Sequence, residues 1–228
     1  MDNISVFKKK VVICIDGPAA SGKGTVAKKI ARVLDFTYFS TGLVYRYLAY
    51  LAITKSIFLE DIDALAALAK SIDSSALYNI AIQLLYDADV TKASSIVAVH
   101  QEVRESLVDL QRSYVHSDKK NGAVVDGRDV GTVIFPDANC KFFLTAELKV
   151  RASRRFKQLQ SQYKGIIYDK VLDELRERDW RDSNRQVAPL QQAFDALVVD
   201  TTSLSEDEVV ELVVGRIGMK LGLVAEGI

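Results

Sequence analysis

The chain has 228 residues, 49% of them hydrophobic, and its 30 Lys+Arg balance its 30 Asp+Glu for a formal net charge of +0. That length suits a single α/β core with a modest insertion, and the even charge excludes a global field able to gather nucleic acid or an anionic membrane surface. No apolar run approaches the roughly 20 residues a membrane helix needs, and the polar start MDNISVFKKK has no signal-like apolar stretch, so a cytosolic protein is expected. Cys14 and Cys140 lie outside any CxxC or Cys/His cluster and read as small buried hydrophobes of a reducing compartment.

The first element is an apolar strand, Val11 to Ile15, and the last of the regular pattern it opens is a helix from Thr25 to Leu34. Between them stands Gly17-Pro18-Ala19-Ala20-Ser21-Gly22-Lys23-Gly24-Thr25, whose G-x-x-x-x-G-K spacing fits a loop that cradles phosphates. Gly17 and Gly22 let the backbone wrap an anion, Lys23 reaches the outer phosphates, and the helix N-terminus behind them adds the equivalent of about half a positive charge. An ordinary βα turn of small residues is the bland alternative, and it leaves the lysine and the flanking strand and helix without a purpose. The common pattern has Ser or Thr directly after the lysine. Here Gly24 intervenes and the hydroxyl belongs to Thr25, so any Mg2+ is expected to be held indirectly, through water, with Thr25 and Asp126 as the candidate outer ligands.

Further along, Phe36 to Phe39 reads as a short buried strand and Ser40-Thr41-Gly42 as the cap of a helix running to Ile53, with Arg46 one turn in. Glu60 to Lys70 has helical spacing, Tyr78 to Tyr86 holds β-favouring residues and is assigned as a strand, and Ser94 to Tyr114 carries a helical stripe through Val97, His100, Val103, Leu107 and Leu110. Regular α/β structure resumes with strands at Ala123 to Asp126, Lys141 to Thr145 and Ala196 to Asp200. Helices are expected over Glu147 to Lys164 and Tyr168 to Arg185, the latter stopped before Pro189, and after a capping box formed by Ser205 and Glu208. Five buried strands separated by helices imply a five-stranded parallel sheet covered on both faces, with ligands along its carboxyl edge. His100 and His116 have no partners at metal-binding spacing and are expected in structural roles.

Arginine recurs where an anion could be gripped bidentately: Thr41 to Arg46, Ser95 with Arg104, Asp126-Gly-Arg128-Asp129, and Arg178 to Arg185. In the last, Arg178, Arg181, Asp182 and Arg185 fall on one helix face. Alone, such a helix is more simply a solvated, salt-bridged surface. Beside a phosphate loop, it is what phosphoryl transfer needs: mobile cations that neutralise the transferring group while water is kept out.

The ordered set GPAASGKGT, STGLVYR, DGRDVGTVIFPDA, RASRRFKQL and RDWRDSNRQVAPL resembles the successive motifs of bacterial cytidylate (CMP/dCMP) kinases over nearly the whole chain. The resemblance implies a P-loop kinase core (about 1–58, 115–160 and 190–228), an inserted NMP-binding part with a small antiparallel sheet (about 59–114) and a short helical lid (about 161–189). It implies ATP and Mg2+ as cofactors, CMP and dCMP as acceptors, and a monomer with no nucleic-acid partner. By the same resemblance Thr41, Arg46 and Arg128 address the CMP phosphate, with Arg185 on the same group. Ser95 and Arg104 read the cytosine edge, Asp129 accepts from its exocyclic amine, and Arg178 and Asp182 address the ribose. Lys23, Arg128, Arg181 and Arg185 are the expected catalytic cations, Arg181 toward the ATP phosphates. Two departures stand out: Ser40 where many relatives have aspartate, and Thr41 in place of a serine. Open alternatives are a UMP or AMP kinase on the same core, against which Ser95, Arg104 and Asp129 argue, and a P-loop switch without acceptor chemistry, which leaves the arginine clusters unexplained.

Overall fold

Apolar β-favouring segments spaced along the chain pair side by side in the computed structural model, which describes residues 10–222 apart from positions 80 and 162. They are β1 (Val11–Asp16), β2 (Thr37–Ser40), β3 (Gly122–Gly127), β4 (Cys140–Thr145) and β5 (Leu197–Asp200). The sheet order is β2-β3-β1-β4-β5 and every pairing is parallel. All five strands therefore end on one edge, and the chain moves to opposite sides of β1 in its two halves, which opens a crevice at the end of β1.

Because successive strand residues face opposite ways, β1 divides its side chains between two cores. Val11, Ile13 and Ile15 pack with α1 (Lys23–Val33) and α10 (Glu206–Leu221) through Val26, Ile30, Val209, Val213 and Ile217. Val12 and Cys14 face α2 (Thr41–Thr54), whose Val44, Tyr45 and Leu48 join Leu65 of α3 (Ile62–Lys70) and Val103 and Leu107 of α7 (Gln101–Ser117). The remaining helices are α4 (Ala76–Asn79), α5 (Ile82–Leu85), α6 (Ala88–Val97), α8 (Leu148–Gln160) and α9 (Tyr168–Asn184). Ser205 caps α10 in the expected capping box, its hydroxyl accepting from Glu208 N while the Glu208 carboxylate accepts from Ser205 N.

Two expectations are corrected. Tyr78 to Tyr86 is not a strand: around position 80, outside the described residues, it forms the helical turns α4 and α5, and no antiparallel sheet occurs among the described residues. With no second strand to pair with, this backbone satisfies itself by local turns, while Leu77 buries in the core on the α2 side and Leu85 is fully buried. The single helix expected over Ser94 to Tyr114 is broken at 98–100 into α6 and α7. Arg104 Nη1, reaching back to Ala98 O at 3.0 Å, satisfies a carbonyl exposed by that break.

Candidate active site

The donor end is made of backbone. Gly17 has φ 151°, and a methyl group placed on it would lie 2.0 Å from Leu144 O, so only glycine lets the loop pass the end of β4. Gly22, in the left-handed region at φ 88°, precedes α1 as an N-cap that offers no side-chain acceptor. The first-turn N–H groups are thereby left for a ligand. Lys23 is buried and, among the described residues, its Nζ donates only to Pro18 O, at 2.9 Å. Burial, reinforced by the cations of Arg128 and Arg178, pushes its pKa well down. Ser21 Oγ is buried with no partner. A polyphosphate fits this cradle. Thr25 is exposed on the first turn of α1, and Asp126, buried at the end of β3, has Tyr38 Oη as a distant donor at 3.4 Å. Those oxygens suit a hydrated Mg2+. Gly24 also finds its reason here, since a methyl on it would stand 3.1 Å from Asp126 Oδ2.

The acceptor end is made of side chains. Thr41 Oγ1 donates to Asp126 O at 3.0 Å, pinning the start of α2 to β3. Arg46 Nη1 donates to Leu85 O at 2.9 Å and Thr91 Oγ1 at 2.6 Å, and its guanidinium lies 4.6 Å from the Tyr86 ring centroid. The segment expected as a strand is thus the one that steers Arg46. Arg128 Nε donates to Asp182 Oδ2 at 2.7 Å, and Arg178 Nε stands 3.9 Å from the same oxygen with no hydrogen-bond partner of its own. Burial, with Arg128 next to it, lowers the Arg178 pKa to about 9, and burial lowers that of Arg46 to about 10. Asp182 is the carboxylate that pairs directly with Arg128 and Arg178, and a dianionic phosphate would add counter-charge to the cluster.

Beside this phosphate-sized cluster lies a second one. Asp129 is buried and pairs with Arg104 Nη2 and, at 3.4 Å, with Arg185 Nη2. Arg104 also stacks 5.3 Å from the Tyr45 ring centroid, and Arg185 Nε donates to Ala188 O at 2.6 Å. Ser95 on α6 meets Arg181 of α9, whose Nη2 is 3.2 Å from Ser95 Oγ. Of the residues singled out in the sequence, Lys23, Arg46, Arg128, Arg178 and Asp182 thus form one electrostatic group, and Ser95, Arg104, Asp129, Arg181 and Arg185 adjoin it. Among the described residues no hydrogen bond or ion pair joins Arg181 to the glycine loop.

Comparison with known proteins shows the family. The family model for cytidylate kinase matches residues 13–218. The chain belongs to the cytidylate kinase family. The cytidylate kinase of Pasteurella multocida is 41% identical over 96% of this chain and 100% of its own length. That of Methylocella silvestris is 44% identical over 85% of this chain and 88% of its own, and that of Exiguobacterium sp. 41% over 91% and 96%. Among solved structures, an uncharacterized protein from Eubacterium ventriosum aligns over 92% of this chain and 99% of that chain with a TM-score of 0.52 at 14% identity, a likeness of fold alone. This chain is an enzyme, a nucleoside monophosphate kinase.

Two residues of this kinase escaped the sequence reading. Asp16, the last residue of β1, accepts from Val130 N at 2.9 Å and Gly131 N at 2.8 Å, so it anchors the π-helical turn Val130–Ile134 that immediately follows Arg128 and Asp129. Its pKa is pushed up to about 6 by burial, the two amides opposing the rise. The signal was a carboxylate ending an otherwise apolar strand. Arg151 of α8 donates to Ala146 O at 2.9 Å and Ala19 O at 3.1 Å and pairs with Asp179 of α9 at 2.6 Å. It joins the phosphate loop to α9, as does the small cluster of Ala19, Ala152, Val171 and Leu175. Its signal, one arginine in a basic helix, could not be told from its neighbours. Among the described residues, no helix is long and apolar enough to cross a membrane.

Proposed function

We propose that the chain transfers the γ-phosphoryl group of ATP to the phosphate of CMP or dCMP, directly, as a monomer and without a covalent intermediate. The observation that carries this reading is the gathering of buried Lys23 with half-buried Arg46, Arg128 and Arg178 near the end of β1, where burial pulls the pKa of Lys23, Arg46 and Arg178 down. Two phosphates brought into contact repel by about 4 kcal/mol per unit charge pair at 4 Å and an effective dielectric near 20. A single cation would not offset that, and a cluster would.

In this reading the amides at the start of α1 and Lys23 hold the donor phosphates. Thr41, Arg46 and Arg128 hold the acceptor phosphate in line, with Arg185 completing the cationic wall. Asp126 and Thr25 would hold Mg2+ through water, and the ion when bound supplies neutralisation of the donor oxygens. The acceptor is already an oxyanion, so no general base is required. Arg178 and Asp182 address the ribose. Ser95, Arg104 and Asp129 read the base: a carboxylate accepts from the amine of cytosine and repels the carbonyl that uracil presents there. The segment 161–189 acts as a lid whose closure excludes water and limits hydrolysis.

The test is steady-state ADP formation with CMP, dCMP, UMP and AMP in turn. Strong preference for the cytosine nucleotides is expected. Equal turnover of UMP and AMP would defeat the base assignment, and CMP-independent ATP hydrolysis would defeat the transfer itself.

A further inference from the structure

The hydroxyl of Ser95 is held from two sides. It donates to Lys92 O at 2.9 Å, three residues back on the same helix, and it accepts from Arg181 Nη2 at 3.2 Å. Chemistry sets the sense of both bonds, because a carbonyl only accepts and a guanidinium only donates. The single hydroxyl proton is committed to Lys92. Toward anything else Ser95 presents a lone pair.

Arg181 is a residue of α9, its Nη1 is 3.6 Å from Glu177 Oε2, and its Nε is buried with no partner. Its firmest contact outside its own helix is therefore the base end of the site. Ser95 on α6 offers one acceptor, its Oγ, and Asp129, which Arg104 of α7 meets, offers a second; in the proposed reading both face the base. Cytosine's amine has two hydrogens to give. Uracil has a carbonyl at that position and would face lone pairs only.

We propose that Arg181 is a specificity-determining residue: by donating to Ser95 Oγ it holds the Ser95 hydroxyl as an acceptor, so that the base end accepts an amino-pyrimidine and refuses an oxo-pyrimidine. This rests on the reading of Ser95 and Asp129 as base readers, and adds that the discrimination is set by a residue of α9. The discrimination then exists only while α9 lies against α6. Without Arg181 filling one lone pair, the hydroxyl can rotate away from Lys92 O and donate to a uracil carbonyl.

The experiment measures kcat/KM for CMP and UMP, and KM for ATP, in the wild type, Arg181→Met, Arg181→Lys, Ser95→Ala and the Arg181→Met/Ser95→Ala double variant, with melting temperatures to verify folding. Arg181→Met is expected to narrow the CMP:UMP ratio by about tenfold, the worth of one hydrogen bond. Arg181→Lys, which can still donate to Ser95, restores most of the ratio. On the Ser95→Ala background Arg181→Met leaves the ratio within about twofold, since the two act as one unit. The proposal is overturned if Arg181→Met changes kcat and ATP KM while the ratio holds, or if its effect persists in full without Ser95. Should Ser95→Ala leave the ratio untouched, the reading of Ser95 as a base reader fails, and the inference with it. A shifted ratio in Ser95→Ala with none in Arg181→Met removes the inference alone.

Discussion

The two halves of the crevice are built on opposite plans. The donor end is one continuous stretch, residues 17–25, in which glycines at φ 151° and 88° and a helix N-terminus do the holding. The acceptor end is assembled from α2, α6, α7, the end of β3 and α9, and holds by side chain against side chain. A backbone cradle has few ways to vary, and each is abrupt. A distributed set of guanidiniums and carboxylates adapts in steps, because each member has partners that share its load.

The largest effect should come from Lys23→Met, the only side-chain cation of the donor loop, with a fall of about 10²–10³-fold in kcat. Stopped-flow or coupled assays at saturating CMP would check it, and an unaffected kcat would place the phosphates elsewhere. Asp182→Asn tests the other half. It leaves half-buried Arg128 and Arg178 beside an uncharged group, and a loss of about 3 kcal/mol, the low end for a buried pair, is expected by urea denaturation, partly restored by inorganic phosphate. Burial alone would raise the Asp182 pKa, but Arg128 and Arg178 hold it below the usual carboxylate range. Its contribution is thus fully present above about pH 4 and is lost as the pH falls through its lower folded value.

Asp16 sits between the halves and titrates in the opposite sense. Its folded pKa, about 6, lies above the ordinary 3.8, so the charged form costs stability and the fold gains on the order of 3 kcal/mol as pH drops from above 6 to below 4. Charges around it include Asp129 and Lys23, with Lys141 across Gly131. Asp16→Asn should abolish that component of the pH dependence. It should also raise KM for CMP several-fold, because the amide can accept from only one of Val130 and Gly131 and the turn after Arg128 loosens. An unchanged KM would mean that the turn holds itself. The smallest effect is expected for Gly24→Ala. Helix propensity favours the methyl, whose contact with Asp126 Oδ2 opposes it, so stability should stay within about 1 kcal/mol while kcat drops modestly.

Much of this was legible in the residues. All five strands lie where apolar runs bounded by turn residues put them, and the Ser205–Glu208 capping box forms as spaced. The Tyr78–Tyr86 stretch misled because β-favouring residues describe a surface that fits a sheet, not the presence of a neighbour to pair with. The break between α6 and α7 was hidden because an apolar stripe survives a short interruption when both helices face the same core. Arg151 was overlooked since nothing local distinguishes a charge that is buried from one that is solvated, whereas Asp16 did carry a signal, a carboxylate ending an apolar strand.

By itself, then, the order of residues determined what depends on near neighbours: the strands, the phosphate cradle with its glycines, and the shared face of Arg178, Arg181, Asp182 and Arg185. Only the folded chain decided which carboxylate each arginine meets, that Arg46 rests on Tyr86, and that Arg181 reaches Ser95. The physical reason is range. Backbone conformation is set by sterics over a few residues, whereas a buried ion pair such as Arg128–Asp182 joins positions 54 apart and exists only once packing has excluded water from both.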